Sequence, residues 1–200
     1  MSTSEIREPI QKRSIEKKEK IIQAGFELIC DKGYYNTNTA EIAKHAGVST
    51  GIVYQYFKDK HDILIEGIKT YANSIFYPII SFPDSDFDIN NIDVLLREMI
   101  KKFIDNHKLS HTAHQEIMAM VHSDNDVADL YYNSEIQLTN KVTDYFTSCG
   151  LNTTNLKEKV HVSIHLIDDL CHELVYHHHN EMNYDIMINL VIDTIKNLLQ

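Results

Sequence analysis

From Ser14 to Lys32 apolar residues recur at Ile15, Ile22, Phe26 and Ile29, with Ile21, Gly25 and Leu28 beside them. That spacing keeps a helical period and predicts a first amphipathic helix. Asp31, Lys32 and Gly33 end it, Gly33 being suited to the left-handed conformation that follows a helix. Asn38, Thr39, Ala40 and Glu41 read as a capping box, which predicts a second helix to about His45. Ala46, Gly47 and Val48 leave room only for a sharp turn, after which Ser49 caps a third helix through about Phe57. Two short helices joined by a tight glycine-containing turn make a helix-turn-helix. Gly47 makes the turn, Val48 plugs the corner, and Ile42, Ala43, Ile52 or Val53, and Phe57 complete a small core. Spacing alone leaves a plain helical hairpin of some other fold open.

The periodicity continues downstream. A fourth helix starts at Asp59 or Lys60 and runs through Ile63, Leu64, Ile68, Tyr71, Ile75 and Phe76 until Pro78 disturbs it. Residues 81–91, SFPDSDFDINN, form the most loop-like stretch. Further helices are predicted over about 92–106, 112–122, 124–149, 155–178 and 184–199, and no internal repeat is visible. With only 6 Gly and 3 Pro, the chain lacks the turn punctuation of a sheet protein, so the fold class is all-α. The predicted organisation is a flexible basic arm over 1–13, a helix-turn-helix domain over 14–60, and a helical domain over 61–200.

The last helix is apolar over much more than one face. Ile186, Met187, Ile188, Leu190, Val191, Ile192, Ile195, Leu198 and Leu199 leave a narrow polar stripe at Asn189, Asp193, Lys196 and Asn197. A helix packed on one side of a monomer needs an apolar arc of only about 100°. The helix before it is similarly broad. Two such helices predict a dimer interface built from Ile164, Ile167, Cys171, Leu174, Ile188, Val191, Ile192 and Ile195. The alternative is deep burial inside one domain, which a domain of this size achieves with difficulty.

Charge changes the picture only when divided. The net charge is −10, yet residues 1–60 hold 10 Lys+Arg against 8 Asp+Glu, and residues 61–200 hold 9 against 21. Arg7, Lys12, Arg13, Lys17, Lys18 and Lys20 crowd the first twenty positions, so the N-terminal end can meet a polyanion that the rest repels. Cys30, Cys149 and Cys171 are scattered and odd in number, which indicates neither a disulfide framework nor a zinc knuckle. No apolar run approaches the roughly 20 residues of a membrane span, and the polar start is no signal peptide; the expected location is cytoplasmic.

The third helix carries the chemistry. Ser49, Thr50 and Gly51 are small enough to let backbone and hydroxyls approach a duplex, and free N–H groups at that end favour a phosphate. Tyr54 and Tyr56 offer phenol hydroxyls to phosphates, Gln55 can read an adenine edge, and Lys58 and Lys60 extend a basic rim. Nothing resembles a hydrolytic centre, so no catalytic residue and no cofactor is expected.

The run Ile42, Ala43, Ala46, Gly47, Val48, Ser49, Gly51, Tyr54, Tyr56, Phe57, Lys60, Ile63 and Leu64 resembles, in order and spacing, the DNA-binding signature of the TetR family of bacterial transcriptional regulators. The resemblance covers roughly residues 15–64. It implies that Asn38, Thr39, Tyr54, Tyr56 and Lys60 contact phosphates and that Thr50, Gly51 and Gln55 face base edges. Ala40 stands where some family members carry a long basic residue, which removes one base contact. It implies as partners an operator duplex, a second copy of the chain, and a small-molecule effector that releases the DNA.

An effector would be lined by aromatic and methionine residues of the middle helices, with Tyr71, Phe76, Phe103, Met118, Tyr131 and Tyr145 as candidates. At helical spacing such residues are more often plain core. Acidic and aromatic surroundings would suit an apolar or cationic molecule better than an anion. The twelve histidines raise a separate reading. His161, His165, Asp168 and His172 fall on one stripe at i, i+4, i+7 and i+11, where imidazoles can share a metal ion. A solvated or ligand-lining face explains such a stripe equally simply. A metal-dependent protein or metal-sensing repressor is therefore the alternative function, with no metal site assigned.

Overall fold

The computed structural model describes residues 12–79, 91–109 and 111–200, with side chains for all of these except 71–79, 106–109 and 111–113. Residues 1–11 of the expected arm, and 81–90 of the expected loop, lie outside the described residues. Those described form helices and connections only: α1 (Lys12–Lys32), α2 (Thr39–His45), α3 (Thr50–Tyr56), α4 (Lys60–Ile79), α5 (Ile92–Leu109), α6 (His111–Val121), α7 (Asn125–Ser148), α8 (Leu156–Tyr176) and α9 (Tyr184–Leu199). The helix over Lys12 and Arg13 begins two residues inside the stretch expected as an arm. The chain divides into two compact units. One comprises Met1–Asn73 and Thr112–Leu130, the other Ser74–His111 and Tyr131–Gln200.

In the first unit, Ile21, Ile42, Ala43, Val53, Phe57 and Ile63 form a buried cluster, with Val48, Ile52 and Tyr56 packed against it. Of Ile52 and Val53, it is Val53 that is fully buried. Gly33 and Gly47 take φ of 88° and 68°, where a side chain would be strained, so both turns depend on glycine. The Asn38 Oδ1 accepts the N–H groups of Ala40 (3.1 Å) and Glu41 (3.0 Å), as a capping residue should. The other half of the expected box is replaced by a contact between Glu41 and Lys32 at 3.5 Å.

Two further glycines set how closely α1 and α4 approach. A Cβ on Gly25 would collide with the Ile63 side chain of α4, and one on Gly67 would stand 2.7 Å from the Phe26 ring of α1. Each helix therefore offers a notch to a bulky residue of the other. The turn between α6 and α7 belongs to this unit as well. Asp124 Oδ1 caps α7 by accepting the N–H groups of Asp126 (3.0 Å) and Val127 (3.1 Å), while Oδ2 lies 3.0 Å from His61 Nε2 on α4. Burial pushes the Asp124 carboxyl up, but those N–H groups and His61 outweigh it and hold the group below its usual range.

The second unit is built around α5, α8 and α9, with α7 contributing Leu138, Val142 and Phe146 to a core that includes Leu96, Ile100, Phe103 and Val160. Ile164, Ile167, Cys171, Ile192 and Ile195 are buried in this core, and Leu174, Ile188 and Val191 are partly buried against it. Of the eight residues expected at a subunit interface, five are thus buried in the chain's own core, where α8 and α9 lay that side of their broad apolar arcs on α5, and three remain partly open. The opposite side stays open: Val162 is 48% exposed, Ile186 56% and Leu190 60%. Cys171 donates to the Ile100 carbonyl at 3.8 Å, and burial pushes its thiol up to about 12, so it behaves as a core residue.

Candidate nucleic-acid interface

The seven residues of α3 divide cleanly. Val53 points into the core and Phe57 follows it there, while Thr50, Gly51, Tyr54 and Gln55 are exposed, Tyr54 at 49%. Tyr56 packs partly on the core and flanks the exposed strip. Ser49 occupies the N-cap position with extended backbone, but its side chain makes no cap bond, contrary to expectation. Asn38 and Thr39 sit at the start of α2, with Asn38 exposed and its Nδ2 amide still a donor beyond the cap.

Gly51 is the most informative residue. Its φ is not in the left-handed region, and a Cβ built there would meet nothing closer than the Ser49 Oγ at 3.9 Å. Within a helix glycine is unfavourable by roughly 0.5–1 kcal/mol relative to alanine. Unlike Gly33 and Gly47, this position needs no glycine for the fold. A surface that must be approached closely from outside explains it.

Lys60 is placed differently from the expectation. Its Nζ donates to the carbonyls of Tyr34 (2.6 Å) and Thr37 (2.8 Å) and lies 4.3 Å from the centre of the Tyr34 ring. The same loop is held from α6, where Glu116 Oε1 accepts the Tyr34 N–H at 2.6 Å. Thr37, buried, donates toward the carbonyls of Leu28 and Gly33 at 3.3 and 3.0 Å. The ammonium is therefore occupied with ordering the link between α1 and α2. Exposed cations nearby in sequence are Lys44 and Lys58. Lys60→Ala should lower stability by about 2 kcal/mol, the range for lost hydrogen bonds to a charged group. Lys44→Ala should stay within about 0.5 kcal/mol, as exposed positions do. Urea denaturation of both variants checks this; equal effects would return Lys60 to the surface role.

The candidate effector residues are divided between the two units. Phe103 is buried in the core of the second unit and Tyr145 packs against it. Tyr131 is half-buried in that unit, its phenol pushed up by burial and by Asp168 and Glu135. Met118 is half-buried on α6 in the first unit, and the side chains of Tyr71 and Phe76 lie outside those described. An open groove of about 440 Å³ runs along α8 between Val162, His165, Leu166, Asp168, Asp169 and His172. Sequence reasoning passed over Glu116, and nothing in its local sequence marks it as the partner of a backbone N–H in the link between α1 and α2.

The sequence profile of the bacterial regulatory proteins of the tetR family matches residues 21–66, the span just described. The HTH-type transcriptional regulator HbdR of Aromatoleum sp. is 48% identical over 54 residues, which are 27% of this chain and 24% of that protein. The fatty acid metabolism regulator protein of Bacillus subtilis is 49% identical over 49 residues, 24% of this chain and 25% of that one. The chain thus spans about a quarter of the length of the curated relatives it matches. Over the whole fold, a TetR-family regulator from Mesorhizobium loti superposes with a TM-score of 0.72 at 22% identity, covering 94% of this chain and 98% of the other. No helix among the described residues is long and apolar enough to cross a membrane. Residues 21–66 thus match the N-terminal domain of the bacterial regulatory proteins of the tetR family, and the fold over the rest of the chain is that of solved TetR-family regulators.

Proposed function

We propose that the chain is a transcriptional repressor that binds a palindromic operator as a dimer and is released by a small-molecule effector. One observation carries the DNA reading: α3 presents Thr50, Gly51, Tyr54 and Gln55 outward, and Gly51 has no reason to be glycine inside the fold. In this reading Thr50 and Gln55 reach base edges in the major groove, while Asn38, Thr39, Tyr54 and Tyr56 fix the register on phosphates. Dimerisation is supported by the open apolar side of α8 and α9 at Val162, Ile186 and Leu190. Two copies would place their α3 helices about one duplex turn apart, which demands a two-fold symmetric site. Release by an effector, typical of the family, requires that it bind more tightly to a conformer with wrongly spaced α3 helices; a coupling of roughly 1–3 kcal/mol suffices.

Selection from a randomised duplex library tests the reading. The expected product is a palindrome, bound with an affinity that falls steeply with salt. Substitutions at Thr50 or Gln55 should change the preferred bases, each contact being worth roughly 1–3 kcal/mol. Recovery of no palindrome above background would overturn it.

A further inference from the structure

We propose that His161 and His165 of α8, together with Glu135 of α7, bind one divalent first-row transition metal ion of the zinc, nickel or copper type. The two Nε2 atoms lie 3.2 Å apart. Two nitrogens bound to one zinc at about 2.0–2.1 Å with a tetrahedral angle stand about 3.4 Å apart, so this pair already has the bite of a chelate. Glu135 Oε1 lies 4.0 Å from His165 Nε2 and more than 4.8 Å from His161 Nε2, so the Glu135 side chain has to rotate toward the histidine pair to reach the same ion. Two imidazoles and one carboxylate, with water completing the shell, suit zinc, nickel or copper better than calcium or magnesium, which take oxygen donors.

The second observation is how His161 is oriented. The buried Thr139 hydroxyl donates its one hydrogen to the Glu135 carbonyl at 2.9 Å. Its contact of 2.9 Å with His161 Nδ1 therefore has Nδ1–H as donor and the hydroxyl oxygen as acceptor. That fixes the tautomer and leaves a lone pair on Nε2, aimed at His165. Metal-bound histidines are held in the same way, by a partner on the nitrogen that does not bind the ion. Burial, with His165 and Lys157 nearby, holds the His161 imidazole below its usual range. Burial also pushes the Glu135 carboxyl up, with Asp168 adding to it and His165 opposing it. An incoming cation relieves both the desolvated carboxylate and the crowding of His161 and His165.

Other donor groups are committed elsewhere. Asp59 Oδ1 accepts the N–H groups of His61 and Asp62, and Asp62 Oδ2 accepts that of Lys58. Asp124 caps α7 and pairs with His61. His177, His178 and His179 are exposed beyond the end of α8 and serve as the control site.

The test is titration of the untagged full chain with zinc against a chromophoric chelator, repeated with cobalt to read the ligand field. One equivalent should bind, with cobalt bands of a nitrogen and oxygen shell. His161→Gln, His165→Gln and Glu135→Gln should each weaken it about 10–100-fold, and Thr139→Val by a similar factor through the lost orienting bond. His165 and its neighbours are exposed enough for the Gln variant to fold, and circular dichroism verifies this. Unchanged affinity in His165→Gln overturns the proposal. Loss of the equivalent in His61→Gln, or on removing His177 to His179, overturns it equally. The site does not depend on the DNA reading, and a chain that selected no operator would still bind the ion.

Discussion

Gly51→Leu should leave the fold intact and reduce operator affinity by about 100-fold, close to 2.7 kcal/mol. The structure separates the two effects. A Cβ at position 51 points into open space, so stability should hold or rise slightly as the helix loses its glycine. On the proposed reading, that space outside the protein is where a duplex comes. A leucine there would lift Thr50 and Gln55 off the bases, forfeiting contacts worth roughly 1–3 kcal/mol each. Gly51→Ala, with one added carbon, should fall between the two. Fluorescence anisotropy on the selected operator at fixed salt, beside urea denaturation, measures both quantities. A leucine variant that binds at full affinity would show that α3 does not enter the groove.

Ile195→Asp and Leu190→Asp, five positions apart on α9, should fail in different ways. Ile195 is fully buried against α5 and α8, and an aspartate there has no partner, a cost of at least about 4 kcal/mol that should unfold the second unit. Leu190 is 60% exposed and an aspartate can hydrate, so the chain should remain folded. If the open side of α8 and α9 carries the partner, Leu190→Asp converts a dimer into a folded monomer. Sedimentation velocity together with circular dichroism distinguishes these outcomes. A Leu190→Asp protein that remains dimeric would move the interface elsewhere.

The contrast between these residues shows what was legible in the sequence. The number and order of the helices followed from periodicity, and their ends from residues with one local task, such as Gly33, Asn38 and Gly47. The breadth of the apolar arc on α9 was equally plain. Its inward side was not, since Ile, Leu and Val line both flanks and only the position of α5 decides between Ile195 and Leu190. The structural task of Lys60 was hidden for a related reason. A lysine beside an exposed, duplex-like face reads as a phosphate ligand, whereas the carbonyls of Tyr34 and Thr37 that claim it come from a loop more than twenty residues away. The exposed strip of α3 was readable because its residues lie close together on one short helix. The histidine stripe was visible, but Glu135 and Thr139 sit on a different helix, and their meeting with His161 and His165 is a fact of packing.

The division of α3 into a buried side and an exposed side bears on how such a protein changes over time. Val53 and Phe57 hold the helix in place, and Thr50, Tyr54 and Gln55 contribute nothing to that anchorage. Mutations can therefore wander through the outer positions with little loss of stability, and on the proposed reading selection on them acts through the DNA target. A duplicated gene of this kind would acquire a new operator before it lost its fold, and a library randomised at those three positions would consist mostly of folded proteins.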